Sequence, residues 1–190
     1  MHLRLIPWDS KVLKEPLPIF NFTEHNKEVV DKFVEDMFAA CQAYNGYGLS
    51  ANQVGVNYRM FVIRVKHDGD SPLNSIDFKQ EYFNPTILER SAELEELEEG
   101  CLSRPGLWVK VKRPKAVRVS YWTKDGENKI ELLEGILGRA FQHEYDHMEG
   151  SDFTQKVSPL KLQRAVKKKA KTQKKLVKYL ADRKQVLIPQ

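Results

Sequence analysis

The spacing of apolar residues changes period twice along this chain, and no other feature limits the fold as much. From Val30 through Phe33, Met37, Cys41 and Tyr44, apolar positions recur every three or four residues, the pattern of a helix with one buried face. Between Met60 and Trp122 the grain is that of strands, clearest where Val117, Val119 and Tyr121 alternate with Arg118 and Ser120. Helical spacing returns from Glu134 to Met148 and closes at Gly150. Helix, several strands, helix predicts an α+β fold: mixed or antiparallel sheets packed around a central helix, with one helix before them and a basic helix after.

The finer reading fills this frame. Pro7, Pro16 and Pro18 rule out a long early helix and suggest an extended arm over residues 1–22. Asn21 or Thr23 can cap the first helix, Asn45-Gly46 ends it, and Cys41 on its apolar face reads as a core residue. Met60 to Val65, Tyr82-Phe83, Ile87-Leu88, Leu107 to Val111 and Ala116 to Trp122 are strand candidates. His67 to Lys79 reads as a loop through Asp68-Gly69 and Ser71-Pro72. Lys124 to Glu127 turns the chain into Ile130 to Leu133 as a hairpin. A last helix starts at Ser158-Pro159, serine capping and proline in the first turn, with a thin apolar stripe of Leu162, Val166, Ala170, Val177 and Leu180.

Charge divides the chain. Its 190 residues carry a formal net charge of +5, yet residues 155–190 hold 12 basic residues against the single acid Asp182, a net +11. The remaining 19 basic and 25 acidic residues leave the first 154 positions at −6. The expected organisation is a body of residues 1–154 and a basic helical extension of residues 155–190, which suits a polyanionic partner or, more blandly, a solvated helix. No run of 18 apolar residues exists to span a membrane, and the first residues lack a secretory pattern. Two cysteines cannot form a disulfide scaffold, so a reducing, cytoplasmic setting is expected.

The chemistry concentrates in His143-Glu144-Tyr145-Asp146-His147. Histidines four apart share one helix face and can meet one metal, with Glu144 beside the open position; a polar patch without metal is the alternative. The extended pattern that adds glycine and a third histidine is half present, with Gly150 in place but Phe153 where the histidine would stand. The third ligand must come from elsewhere. His2, His25 and His67, in an arm, a helix start and a loop, read as exposed histidines, and Glu99 is the one acid in a distinctive environment. Cys101 lies in the tight segment Glu99-Gly100-Cys101-Leu102-Ser103 and would complete a two-histidine, one-cysteine site with a position open for water; a buried structural thiol is its other reading. Thiolate favours iron(II), nickel, cobalt or zinc. A third segment, Gly46 to Gln53, is rich in glycine and small residues and permits close backbone approach.

Together the segments Gly46 to Gln53, Glu99 to Ser103 and Gln142 to His147 resemble the three signature motifs of the peptide deformylases, in order and spacing, and the similarity covers nearly the whole chain. The resemblance implies a metal-dependent hydrolase that removes the formyl group from the N-terminal methionine of nascent chains. It implies Cys101, His143 and His147 as ligands, most often of Fe(II), with Ni(II), Co(II) or Zn(II) as substitutes. It implies Glu144 as acid–base residue, Gln53 and the Leu102 N–H as oxyanion donors, and Gly48, Leu49, Gly100 and Arg104 along the peptide. It also implies a monomer whose last helix meets the ribosome, through ribosomal RNA and exit-region proteins. Three positions depart from the family pattern. Ser50 stands for a usual alanine, Arg104 for an aliphatic residue at the rim, and Arg139 for an apolar residue where it could charge the methionine pocket. The rival readings are another H-E-x-x-H metallopeptidase, and an RNA- or ribosome-binding module with a structural metal.

Overall fold

The computed structural model describes residues 3–67 and 76–186. His2 and the turn pairs Asp68-Gly69 and Ser71-Pro72 lie outside them. Helix α1 (Lys27–Ala43) starts at Asn26, whose side chain accepts from the Glu28 amide. Neither Asn21 nor Thr23 caps it. Asn21 caps its own short 3₁₀ turn (Phe22–Glu24), and the extended backbone of His25 separates that turn from the helix. The buried stripe of α1 is broader than its sequence spacing suggested: Val34, Phe38 and Ala40 join Val30, Met37 and Cys41. Tyr44 falls after the last turn and is exposed.

Five strands form one sheet in the order β1-β2-β3-β6-β7, from Gly48–Ser50, Met60–His67, Ile76–Arg90, Ala116–Trp122 and Asn128–Glu134. Strands β4 (Leu94–Gly100) and β5 (Trp108–Pro114) make a second, two-stranded sheet. Every strand pair is antiparallel, which decides between the two sheet types expected. Met60 to Ile63 is apolar without alternation because both faces of β2 are covered. Phe61, Ile63 and Val65 face the cluster containing Phe141 and Met148 of helix α2 (Gly135–Met148), and Met60 and Val62 face α1.

Three strand assignments change. Tyr82-Phe83 and Ile87-Leu88 belong to one long β3, bent where Asn84 takes a positive φ of 48° and the register to β6 shifts. Most of the supposed loop from His67 to Lys79 that the structure describes is strand, since β2 runs through His67 and β3 resumes at Ile76. Strand β4 was not foreseen. Its sequence, Leu-Glu-Glu-Leu-Glu-Glu-Gly, lacks alternation, and what supports it is the partner: Glu95, Glu96 and Glu98 lie across from Arg113, Lys112 and Lys110 of β5.

The arm closes the body. Leu13, Leu17 and Phe20 are buried, the Leu17 amide donates to Met148 O, and Asn84 both accepts from the Phe20 amide and donates to its carbonyl. Where the arm passes the end of α2, a Cβ on Gly150 would stand 2.6 Å from the Glu15 carbonyl carbon, and φ there is +68°. Only glycine fits that crossing. Helix α3 (Pro159–Val186) begins with Ser158 Oγ accepting from the Lys161 amide, as its sequence suggests. Its first turns dock through Leu162 and Ala165 against Leu107, Val109, Val111 and Phe153, while Val166, Leu176 and Val177 are exposed. No helix among the described residues is long and apolar enough to cross a membrane.

Candidate active site

Helix α2 lies between the two sheets, and the site forms where all three meet. Its inward face brings His143 and His147 to the segment just after β4, where the chain leaves the small sheet at Cys101. The donor atoms of Cys101, His143 and His147 all lie within 4.8 Å of one another. Cys101 Sγ is 3.4 Å from His147 Nε2. Burial resists ionisation of this thiol, but the charge of His147 and hydrogen bonds to both histidines override it and hold the thiol at about 5. It is a thiolate at neutral pH, the form a metal requires.

Glu99 sets the orientation of His143. One carboxylate oxygen sits 3.1 Å from His143 Nδ1, leaving the other ring nitrogen free to coordinate. The same carboxylate accepts from Arg113 Nε and Nη2 at 2.7 and 2.9 Å and from Arg139 Nη1 at 2.9 Å. Burial opposes its charge, and the hydrogen bonds from His143 and Arg113 outweigh that cost, so Glu99 stays far below the ordinary carboxylate range. Arg113 also donates to Asp146 Oδ2, and Lys156 pairs with the other oxygen of Asp146. A donor set of one thiolate and two imidazoles, one already oriented by a carboxylate, fits a divalent transition-metal ion.

Glu144 points the other way along the helix, toward β1. A Cβ on Gly48 would lie 2.5 Å from Glu144 Oε1, so the glycine is what lets β1 and the carboxylate touch. Its Oε2 is buried with no partner among the described residues. Burial pushes its pKa up to about 7, the imidazole charges only partly countering it. Gln53 is held from behind: its Oε1 accepts from the Ser50 amide and lies 3.0 Å from Ser50 Oγ. That fixes Nε2 toward the site, 3.4 Å from Cys101 Sγ and 3.0 Å from Ser103 Oγ. Ser50, the departure from alanine, thus adds one hydroxyl, which lies behind Gln53 and also 2.7 Å from Asn52 Oδ1, whose amide in turn binds His147 O.

A family model of the polypeptide deformylases matches residues 3–163. This chain belongs to the polypeptide deformylase family. The peptide deformylase of Thermotoga maritima is 39% identical over 153 residues, 80% of this chain and 85% of the relative. That of Fusobacterium nucleatum is 35% identical over 174 residues, 92% and 94% of the two chains. Among solved structures, a Synechococcus elongatus peptide deformylase in complex with actinonin has a TM-score of 0.74 at 32% identity, covering 88% of this chain and 86% of its own. A Met-Ala-Ser-bound deformylase from Acinetobacter baumannii gives 0.75 at 28% identity, covering 83% and 99%. Hydrolytic removal of an N-formyl group is the activity that goes with membership.

Within this deformylase framework the departures acquire positions. Arg139 does not enter a methionine pocket: it is buried, turned toward the small sheet, and donates to Glu99, Val111 O and Glu95 O. Arg104 pairs with Asp152 at 2.7 Å and lies 4.5 Å over the Trp8 ring. Leu49 is fully buried in the cluster that packs on α1. Gly100 lies at the end of β4 under the Trp108 ring. Cys41 is core, as its spacing suggested, with its thiol pushed up to about 12 by burial. The roles of Arg113, Arg139 and Asp146 were not legible, because their spacing along the chain carries no sign that both arginines meet Glu99 or that Asp146 meets Arg113.

Proposed function

We propose that the chain removes the formyl group from the N-terminal formylmethionine of peptides, releasing formate, with Cys101, His143 and His147 holding a divalent ion, Fe(II) before Ni(II), Co(II) or Zn(II). The observation that carries this reading is the convergence of those three donors beside a buried carboxylate with an unpartnered oxygen. When bound, such an ion acidifies water and polarises a carbonyl.

The protein's own groups would do the rest. Glu144, poised near neutrality, would take a proton from the attacking water and return it to the leaving amine. Gln53 Nε2, held in place by Ser50, would donate to the formyl oxygen as it gains charge. The Leu102 amide would be the second donor. Strand β1 ends the five-stranded sheet, so its outer edge is free to pair with an extended peptide at Gly48, beside Glu144. Gly100 and Arg104 would flank that peptide, with the buried Leu49 beneath it.

Formate release from formyl-Met-Ala-Ser by the iron- or nickel-loaded protein, with acetyl-Met-Ala-Ser and an internally cleavable peptide alongside, tests the assignment. Release from the formyl peptide alone is expected. Cleavage of the internal bond instead would make the protein a general metallopeptidase.

Residues 1–154 would form the catalytic body and residues 155–190 an extension that meets the ribosome in the cytoplasm. Nine of the 12 basic residues of the extension lie from Lys167 onward, beyond Leu162 and Ala165, the apolar residues that dock on the body. Removing Lys167–Gln190 should therefore leave formate release intact and abolish salt-sensitive co-sedimentation with ribosomes. Unchanged co-sedimentation would refute this partner.

A further inference from the structure

We propose that a cavity behind the ligand histidine, walled by Trp8, Lys14, Ser103, Arg104, His147 and Asp152, binds a small carboxylate anion, with formate as the anion the reaction itself supplies. It has a volume of about 110 Å³, enough for an ion of a few heavy atoms. His147 and Ser103 belong to both the cavity and the active site, so the two spaces share a wall.

The argument is an imbalance of donors and acceptors. With His147 Nε2 committed to Cys101, the nitrogen left over is Nδ1, which is buried and has no partner among the described residues. Ser103 is buried and its oxygen accepts from Gln53 Nε2, yet no acceptor for its own proton lies among the described residues. Arg104 spends Nε on Asp152 and its face on Trp8, and its terminal nitrogens have no hydrogen-bond partner among the described residues. Lys14 makes no ion pair among the described residues and adds a second positive charge. The one acid in the wall cannot answer these donors. Asp152 Oδ1 already accepts from the Thr154 amide and hydroxyl, and Oδ2 accepts from Arg104. Its charge cancels that of Arg104 and leaves the lysine over. Buried donors without acceptors are costly, and a compact anion with two acceptor oxygens satisfies them where a neutral ligand would not. Only the identity of the anion rests on the deformylase reading; the donor surplus does not.

The test is ¹³C-formate relaxation on the zinc-loaded full chain in chloride-free buffer, with a peptide hydroxamate saturating the metal so that binding at the ion itself is blocked. Saturable broadening that persists under the hydroxamate is expected, weakened roughly tenfold or more in Lys14→Met and in Arg104→Met and unchanged in the distant Lys112→Met. Lys14 is exposed, so its variant keeps the question answerable where Arg104→Met fails to fold. Absence of saturable broadening once the metal is blocked, or equal affinity in all the variants, would overturn the proposal and leave the cavity to water. Formate release from formyl-Met-Ala-Ser by the iron- or nickel-loaded wild-type protein, free of hydroxamate, keeps the two readings apart. Loss of release removes the function, whereas release without second-site binding removes only the anion site.

Discussion

Glu144 is isosteric with glutamine, and the exchange removes its charge and its proton exchange while keeping the contact with Gly48. Glu144→Gln should retain metal and lose turnover by about 10²–10⁴-fold, read as formate release alongside elemental analysis. Equal turnover would end its assignment as acid–base residue. Gln53→Ala should cost on the order of 10²–10³ in kcat, as loss of one oxyanion donor does. Ser50→Ala removes only the hydroxyl behind Gln53 and keeps the amide that also holds it, so its loss in kcat should stay under about tenfold. A Ser50→Ala effect as large as that of Gln53→Ala would mean that the hydroxyl, not the amide, positions Gln53. At this scale much was legible. The candidate donors Cys101, His143 and His147, with Glu144 beside them, stood out because metal chemistry demands particular side chains, and both histidines lie on one helix at a fixed spacing. Glu99 drew notice only as a neighbour of Cys101; its four hydrogen-bonding atoms come from β5 and α2, which spacing cannot bring together.

The segment leaving the small sheet and α2 each carry part of the candidate metal donor set, and a buried ionic cluster joins sheet and helix. Arg139 clasps Glu99 of β4 and the backbone of both strands, so Arg139→Leu removes one partner of a buried charge and should destabilise the metal-loaded protein by about 3 kcal/mol in urea unfolding. A second tie runs from the Cys101 segment to the end of α2 through Arg104 and Asp152. Burial opposes the Asp152 charge, but hydrogen bonds from Thr154 and Arg104 prevail and lower its pKa. A carboxyl lower in the folded than in the unfolded chain stabilises the fold above its unfolded value of about 3.9, and that contribution disappears as pH falls through the folded value. The Tm gap between wild type and Asp152→Asn should therefore be full at pH 6 and narrow below about pH 4. A constant gap would show that the pair contributes through packing alone. Elements with a period, α1, β6 and α2, were readable, whereas β4 was not: its support is the facing row of β5 basic residues.

Over the whole molecule, α2 is the element around which everything else is placed, and the metal would bridge it to the chain leaving β4. An ion bound only by the folded state stabilises it by mass action, about 4 kcal/mol when the free ion is a thousandfold above its Kd. Chelation should accordingly lower Tm in a metal-dependent, reversible way, and an unchanged Tm would place the donors too far apart to hold an ion. The division of charge, an acidic body and a basic extension, belongs to composition and needs no fold to be seen. So do the α+β class, the boundaries of α2, and the residues able to bind a metal, because periodicity and donor chemistry are local properties of the chain. Only the tertiary structure decided that Arg139 braces the small sheet, that Glu99 orients His143, and that a donor-rich cavity lies behind His147. Those are meetings of residues 28 to 139 positions apart, and burial in a shared low-dielectric interior, not proximity in sequence, makes their charges and hydrogen bonds interdependent.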